Sequence, residues 1–514
     1  MQTSVTTDTY KDLPAAKATI LLLSIMVVAS CGIVYELIIG TVSSYLLGNS
    51  VYQFSLTIGF FMFAMGIGSH LSRYVESRLI EAFIYVELVL ALIGGLCSIA
   101  LFLMFPFAPW MYQVAKFGFI LSIGVLVGLE IPILTRILAE RGGTRTSIAN
   151  VMSLDYIGAL VGSVAFPLLL LPSLGLITAS FAIGLINISV AALNVIWLKD
   201  YIRNLRMAQI AVGTIFVLLL VLTATATRIT AYAQQHLYFD QIVWQQQTPY
   251  QSLVVTNSWP RSDFRLFIDG HLQFSEFDEH RYHEALVHPV MGWTGEAKNV
   301  LVLGGGDGLA VREILKHPGV ERIDLVDIDP AMTDLGATFP HLVRMNGGSL
   351  ASEKVKIFNA DAFVFIKETE RIYDKVIIDF PDPHNEAIAK LYSVEFYAML
   401  SRKMSDGATL VSQSSSPFFA TNTYWTIAAT MEEIFPATTS YTLDIPSFGV
   451  WGFHMAHKAP GGMMTGVPED LRFLSDEVFQ AMLTFPRDIA RPEKLEPNSI
   501  FEPSLYEVYL KDLG

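Results

Sequence analysis

The chain reads as a multi-pass α-helical membrane domain followed by an acidic α/β domain built on a doubly wound, parallel sheet. Three observations predict this. Apolar runs of spanning length crowd residues 1–230. The net charge is +2 over that stretch and −16 over the remainder. From residue 299 onward, short apolar runs end in a glycine turn or in an aspartate, as strands do at the ligand-binding edge of a parallel sheet. At 514 residues the chain exceeds one core, and the division expected is 1–230, helical; 231–290, a small antiparallel β domain with a linking helix; and 291–514, the α/β domain with a C-terminal tail.

In the first part, seven apolar segments lie at 18–40, 52–71, 82–105, 117–138, 154–174, 176–198 and 208–227. Each approaches the roughly 20 residues a helix needs to cross the hydrocarbon layer. Small residues such as Gly66 and Gly68, Gly94 and Gly95, and Gly124 and Gly128 permit close helix packing. No cleavable secretory signal is evident at the N-terminus, so the first segment is expected to stay in the protein. Lys11, Lys17, Arg73, Arg78, Arg136, Arg141, Arg145, Lys199, Arg203 and Arg206 all fall on one side of the alternating segments, and the opposite loops offer only Lys116. That places the N-terminus in the cytoplasm of a cell with this inner-membrane protein. Seven crossings would then put the C-terminal part outside; the expectation is instead a cytoplasmic C-terminal domain with one segment re-entrant or miscounted. Glu36, Glu87, Glu130 and Asp155 are embedded in the apolar runs, either as a vestibule for a cation or as contacts between helices of an anchor.

After Arg228, residues 237–275 alternate in strand fashion, with Asp269-Gly270 as a hairpin turn. A helix opens at Asp278. Then follow strand 299–303, helix 309–316, strand 322–327, helix 330–335, strands 354–358 and 374–379, helix 391–400 and strand 407–412. That alternation is Rossmann-like. Both cysteines, Cys31 and Cys97, lie in the apolar part, so the α/β part has no disulfide, thiolate zinc site or thiol nucleophile. Its acidity disfavours nucleic acid and suits cationic amines, although the same charge serves solubility.

The glycine turn at Gly304-Gly305-Gly306-Asp307-Gly308 offers backbone N–H groups and a helix start to a ligand, but contains no Lys or Arg for a phosphate. Asp327, twenty residues after Asp307 and at the end of the next strand, can accept from both ribose hydroxyls. Asp361 ends a third strand and can accept from an adenine amino group. Acids in place of cations point to a positively charged adenosine compound, a sulfonium. Asp379 and Asp382, held by Pro381 and Pro383, project toward the same cleft, where they can bind an amine and take up its proton; the alternative is a turn whose aspartates cap a helix.

Several further pieces occur together with these: Tyr250-Gln251, Asp269-Gly270 through Gln273, Asp278-Glu279 with Tyr282-His283-Glu284, Arg312-Glu313, Leu391-Tyr392 with Glu395-Phe396-Tyr397, and Gln413. From about Tyr250 to its end the chain resembles the spermidine synthases, or polyamine aminopropyltransferases, and more closely their membrane-fused subgroup. The resemblance implies a class I methyltransferase-type fold and transfer of an aminopropyl group from decarboxylated S-adenosylmethionine to a putrescine-like amine, with release of methylthioadenosine. It implies no prosthetic group and no metal. Asp307 would hold the donor's ammonium, with Gln251, Gly304, Gly306, Asp327 and Asp361 completing the donor site. Asp379, assisted by Tyr282, would deprotonate the amine; His283, Asp382, Gln413 and Phe448 would line the amine's path. Membrane lipid and a second copy of the chain are the partners it implies, with no nucleic acid.

Two departures bear on the acceptor. The family's Asp-Ser-Ser-Asp-Pro reads Asp379-Phe380-Pro381-Asp382-Pro383, and a tyrosine of soluble members is replaced by Phe448. Both make the amine wall more apolar, which leaves a longer or more hydrophobic amine open. The competing readings are methyl or aminocarboxypropyl transfer from intact S-adenosylmethionine, and a polyamine sensor or transporter.

Overall fold

The computed structural model describes residues 10, 13–47, 50–259 and 262–513. Lys11, one of the basic residues of the charge pattern, lies outside them. The chain divides into two compact units, Met1–Phe239 and Asp240–Gly514.

Among its described residues the first unit has helices as its only regular elements: α1 (Ala15–Leu47), α2 (Ser50–Leu71), α3 (Leu79–Phe107), α4 (Pro109–Gly142), α5 (Thr144–Ala165), α6 (Leu171–Trp197), α7 (Leu205–Ala224) and the short α8 (Ala226–Gln235). Among the described residues, six helical stretches are long and apolar enough to cross a membrane by length and composition. The fifth, Thr144–Trp197, has 54 residues, about 80 Å at 1.5 Å per residue, far more than one bilayer. It is broken at Gly175, whose φ of 70° and ψ of 175° no helix tolerates, and a π-helical turn at Phe166–Leu170 precedes the break. The structure thus has seven rods where the apolar segments fall. Close packing follows the glycines unevenly. A Cβ on Gly68 would lie 2.1 Å from the Val125 carbonyl oxygen, and one on Gly128 2.1 Å from that of Met65, so α2 and α4 touch backbone to backbone. Gly66 faces open space.

The second unit opens with a four-stranded antiparallel sheet, β1 (Gln241–Gln247), β2 (Ser252–Ser258), β3 (Asp263–Ile268) and β4 (His271–Ser275), in sequence order. Asp269-Gly270 makes the β3–β4 turn, with both residues at positive φ, as a two-residue hairpin requires. Helix α9 (Glu279–Met291) leads into a seven-stranded sheet. Its strands are β5 (Asn299–Gly304), β6 (Arg322–Asp327), β7 (Val355–Asn359), β8 (Tyr373–Asp379), β9 (Met404–Gln413), β10 (Ala437–Ile445) and β11 (Gly449–His457), in the order β10-β11-β9-β8-β5-β6-β7. The runs Val300–Leu303 and Val376–Ile378 are fully buried, as expected of strands covered on both faces.

The sheet is mixed, which corrects the wholly parallel expectation. Strands β5 to β9 run parallel, while β10 and β11 form an antiparallel hairpin against β9. A connection as short as Pro446–Phe448 can only reverse the chain. The helix expected at 391–400 begins instead at Val394, because the Ser393 hydroxyl accepts from Phe396 N–H at 3.2 Å and caps it there. Between β5 and β8 the chain order reverses: β6 and β7 lie on one side of β5, β8 and β9 on the other. A crevice opens at the C-terminal ends of strands at such a switch point.

Candidate active site

The crevice is a cavity of about 330 Å³. All twelve residues singled out from the sequence line it: Gln251, Tyr282, His283, Gly304, Gly306, Asp307, Asp327, Asp361, Asp379, Asp382, Gln413 and Phe448.

The glycine turn knits neighbouring strand ends together. Gly304 has a φ of 83°, and a Cβ there would lie 2.1 Å from the Asp379 carbonyl oxygen. Only glycine lets β5 end so close to β8. Gly306 N–H donates to Asp327 Oδ2 at 3.0 Å, and Asp329 N–H donates to Oδ1 at 2.9 Å, fixing that carboxylate in the cavity. Asp307 is anchored through Oδ1, which accepts from Leu309 N–H at 2.8 Å. Asp361 does two jobs. Its Oδ1 caps the helix Ala362–Glu368 through Phe363 N–H at 2.7 Å, and its Oδ2 meets Lys390 Nζ at 3.1 Å. Asp361 thus caps a helix while still facing the cavity.

Across the turn, α9 presents Tyr282, whose hydroxyl donates to Asp379 Oδ1 at 2.5 Å. One turn of backbone positions the next residue: His283 Nδ1 meets Glu279 Oε2 at 2.9 Å, and Glu279 in turn takes a two-pronged contact from Arg312 at 3.0 and 2.9 Å. Burial alone would favour a neutral imidazole, but the Glu279 carboxylate raises His283 to about 9. The site thus holds an imidazolium among carboxylates. Burial pushes Asp327, Asp379 and Asp382 each up to about 6, and also raises Asp307. Buried acids with no cation to pair fully with them are a site awaiting positive charge.

The amine side is built from later strands. Asp382 Oδ2 accepts from the Ser415 hydroxyl at 3.1 Å and the Tyr509 hydroxyl at 3.2 Å. Gln413 Nε2 donates to the Phe380 carbonyl at 2.5 Å and to Tyr392 Oη at 2.9 Å. Phe448 sits on the β10–β11 turn, edge-on to Tyr282 at 6.2 Å between ring centres and tilted against Trp451 at 5.1 Å. The turn is tied down by Asp278, which accepts from Ser447 N–H at 2.7 Å and the Ser447 hydroxyl at 2.8 Å.

Sequence reading missed Ser415, Tyr509, Trp451, His384 and Lys390. Trp451 had a legible signal, since the alternating run 437–445, the turn Pro446–Phe448 and the run that follows read as a hairpin, whereas Ser415, just past the end of β9, had none. Tyr509 had none: it comes from the helix Leu505–Leu513, and no local pattern ties that helix to Asp382.

The family described as spermine/spermidine synthase domain matches residues 279–463. A polyamine aminopropyltransferase of Leptospira interrogans is 42% identical over 496 residues, covering 96% of this chain and 98% of that protein. The chain belongs to the polyamine aminopropyltransferases. A second member, from Mycobacterium tuberculosis, is 36% identical over 507 residues, covering 95% of each. Since the match runs nearly end to end, the helical unit is shared with these aminopropyltransferases too. A spermidine synthase solved with the transition-state analogue AdoDATO aligns with 48% of this chain and 85% of its own, at 24% identity and a TM-score of 0.44.

Proposed function

We propose that the cavity transfers the aminopropyl group of decarboxylated S-adenosylmethionine to a primary amine, and that Asp379 is the base. The observation that carries this is the Tyr282–Asp379 hydrogen bond at the wall between the two halves of the cavity. On the donor half, Asp307 holds the ammonium of the aminopropyl arm, Asp327 the ribose hydroxyls and Asp361 the adenine edge, with Gln251, Gly304 and Gly306 against the nucleoside. On the other half, Asp382 holds the far amino group, with His283, Gln413 and Phe448 around the chain between.

The chemistry is a displacement at the carbon next to sulfur. The amine nitrogen forms the new C–N bond as the C–S bond breaks, and its electron pair leaves with sulfur as a neutral thioether. A free amine is protonated near neutral pH, with a pKa of about 10. Asp379, at about 6, is ionised there and accepts the proton. Tyr282 is held protonated by burial and by the adjacent Asp379 charge, so it donates and does not act as the base. The leaving group is already good, so most of the acceleration comes from alignment and exclusion of water. Lacking a hydroxyl, Phe448 favours an acceptor with an apolar mid-section.

The helical unit crosses a bilayer in this reading, with its basic ends in the cytoplasm. We place the catalytic unit on that same side, where nucleoside donors are made. This requires an even number of crossings, so one of the seven rods does not span in this reading; a reporter joined after the C-terminus, active only on one side, tests it.

The deciding experiment offers the detergent-purified protein decarboxylated or intact S-adenosylmethionine with a panel of di- and polyamines, and follows methylthioadenosine and the alkylated amine by mass spectrometry. Methylthioadenosine formed only from the decarboxylated donor plus an amine supports the proposal and names the acceptor. Turnover of the intact donor instead would replace it with methyl or aminocarboxypropyl transfer.

A further inference from the structure

Asp382 divides its two carboxylate oxygens between different tasks. Oδ2 accepts from two hydroxyls, Ser415 at 3.1 Å and Tyr509 at 3.2 Å. Among the described residues Oδ1 meets the Gln413 amide alone, at 3.5 Å, and that amide is already given to the Phe380 carbonyl at 2.5 Å and to Tyr392 Oη at 2.9 Å. Serine, tyrosine and glutamine side chains are neutral, so they hold the carboxylate without cancelling its charge. Burial pushes the carboxyl up to about 6, and these three contacts oppose the push. One oxygen is thus fixed by the protein, and the other is left nearly uncommitted on a residue that lines the cavity.

The Tyr509 phenol comes from the helix Leu505–Leu513, which lies outside the stretch matched by the family model. That helix is gripped at both ends. At its start, Asn498 Oδ1 accepts from the N–H groups of Ser504 and Leu505, each at 3.2 Å. The same Asn498 donates through Nδ2 to the carbonyls of Ala389 and Tyr392 at 3.0 and 3.1 Å, on the segment that follows Asp382. At its end, Asp512 accepts from Thr423 N–H and from the Thr423 hydroxyl, both at 2.8 Å. Leu505, Tyr509 and Asp512 are spaced four and then three residues apart and so share one face of the helix. Leu505 is buried in the core that includes Phe380 and Tyr392, and Tyr509 is 6% exposed. A phenylalanine would fill the same space as this tyrosine. What the hydroxyl adds is its bond to Asp382.

We propose that Tyr509 is a positioning residue that makes the enzyme select acceptors carrying a second amino group, by fixing Asp382 Oδ2 and leaving Oδ1 for that group. This rests on the aminopropyl-transfer reading and on Asp382 as the seat of the far amino group. The selectivity is for charge at the far end of the acceptor and is separate from the apolar mid-section that Phe448 favours. An acceptor with one amino group has nothing to offer Asp382, so the phenol is silent toward it.

The test follows methylthioadenosine release from decarboxylated S-adenosylmethionine by the full-length, detergent-purified protein, with putrescine or n-butylamine as acceptor. Wild type, Tyr509→Phe and Asp382→Asn are compared. The expected result for Tyr509→Phe is a putrescine KM raised about tenfold with kcat within about twofold, and a kcat/KM for n-butylamine also within about twofold. Asp382→Asn should lose the preference for putrescine altogether. An equal fall in kcat/KM for both amines in Tyr509→Phe, the mark of a packing role, overturns the inference, as does an unchanged putrescine KM. If Asp382→Asn discriminates as wild type does, Asp382 is not the seat of the far amino group, and the reading of the amine half fails together with this inference. If Asp382→Asn behaves as expected and Tyr509→Phe does not, the inference alone fails. Should Tyr509→Phe not fold, Asp512→Ala, which releases the helix from Thr423, provides the same comparison.

Discussion

Tyr282 and Asp379, 97 positions apart in the chain, share a 2.5 Å hydrogen bond in the cavity. Helix α9 delivers the phenol and the end of β8 the carboxylate, so the contact exists only when the helix is docked on the sheet. It also sets the division of labour, with the donor held neutral and the acceptor carrying the charge.

Replacing Asp379 with Asn keeps the shape and removes the base. The expected result is a fall in kcat of roughly 10²–10⁴-fold with donor affinity retained. Tyr282→Phe should cost much less, on the order of tenfold, because only a supporting hydrogen bond is lost. Methylthioadenosine release at saturating substrates, beside donor binding by calorimetry, separates the two.

Proton release should accompany binding in mild acid. In the free protein Asp327, Asp379 and Asp382 keep their protons until about pH 6, above the ordinary 3.8, because burial penalises the charge. The folded state therefore binds protons more tightly than the unfolded one, and these groups make the free protein less stable as pH rises from about 4 through 6. A cationic donor or amine reverses the preference and expels protons. Calorimetry at pH 5.5 in buffers of different ionisation heat should show that release, and Asp382→Asn should reduce it for the amine alone.

The His283–Glu279–Arg312 chain predicts a further fall in stability at higher pH. His283 titrates at about 9 when folded and at 6.5 in an ordinary setting, so its contribution is fully present below pH 6.5 and is lost as pH rises through 9. At most it amounts to about 3 kcal/mol. Denaturant midpoints measured from pH 6 to pH 9.5 should fall for wild type, and His283→Gln should flatten that fall. Glu279→Gln leaves the buried His283 without its carboxylate and Arg312 with Glu313 as its remaining acid, and should cost about 3 kcal/mol at pH 7.

Gly306→Ala tests the donor half by itself. The added methyl would sit 2.5 Å from Asp327 Oδ2 and push that carboxylate off its N–H partners. The donor KM should rise by roughly tenfold or more while the amine KM holds. An equal loss on both substrates would mean that the turn supports the whole cavity.

The donor half of the site was readable because each acid there closes a local pattern: an apolar run, then a turn, then Asp307, Asp327 or Asp361. The strand ends converge by topology alone, so the three needed no long-range information to be placed together. The amine half was less legible. Asp382 takes its partners from Ser415 and from Tyr509, 127 positions away, and a sequence pattern carries no trace of that meeting. The hairpin β10–β11 alternates visibly, but it follows the last parallel strand and breaks the strand–helix rhythm that marks the rest of the sheet. In the helical unit, the apolar runs were plain, whereas the grouping of Glu87, Glu130 and Asn187 depends on how α3, α4 and α6 are rotated about their axes, which spacing does not fix.

The grip of Asp278 on Ser447 has a consequence for how this enzyme can change. Asp278 stands at the head of the helix that carries Tyr282, and Ser447 precedes Phe448 on the hairpin tip. Whatever reshapes the tip to admit a different amine pulls on the same anchor that sets the phenol against Asp379. Selectivity and turnover are thereby geared together: a new acceptor must be accommodated by substitutions that leave Ser447 in place, or the reaction slows for every amine at once.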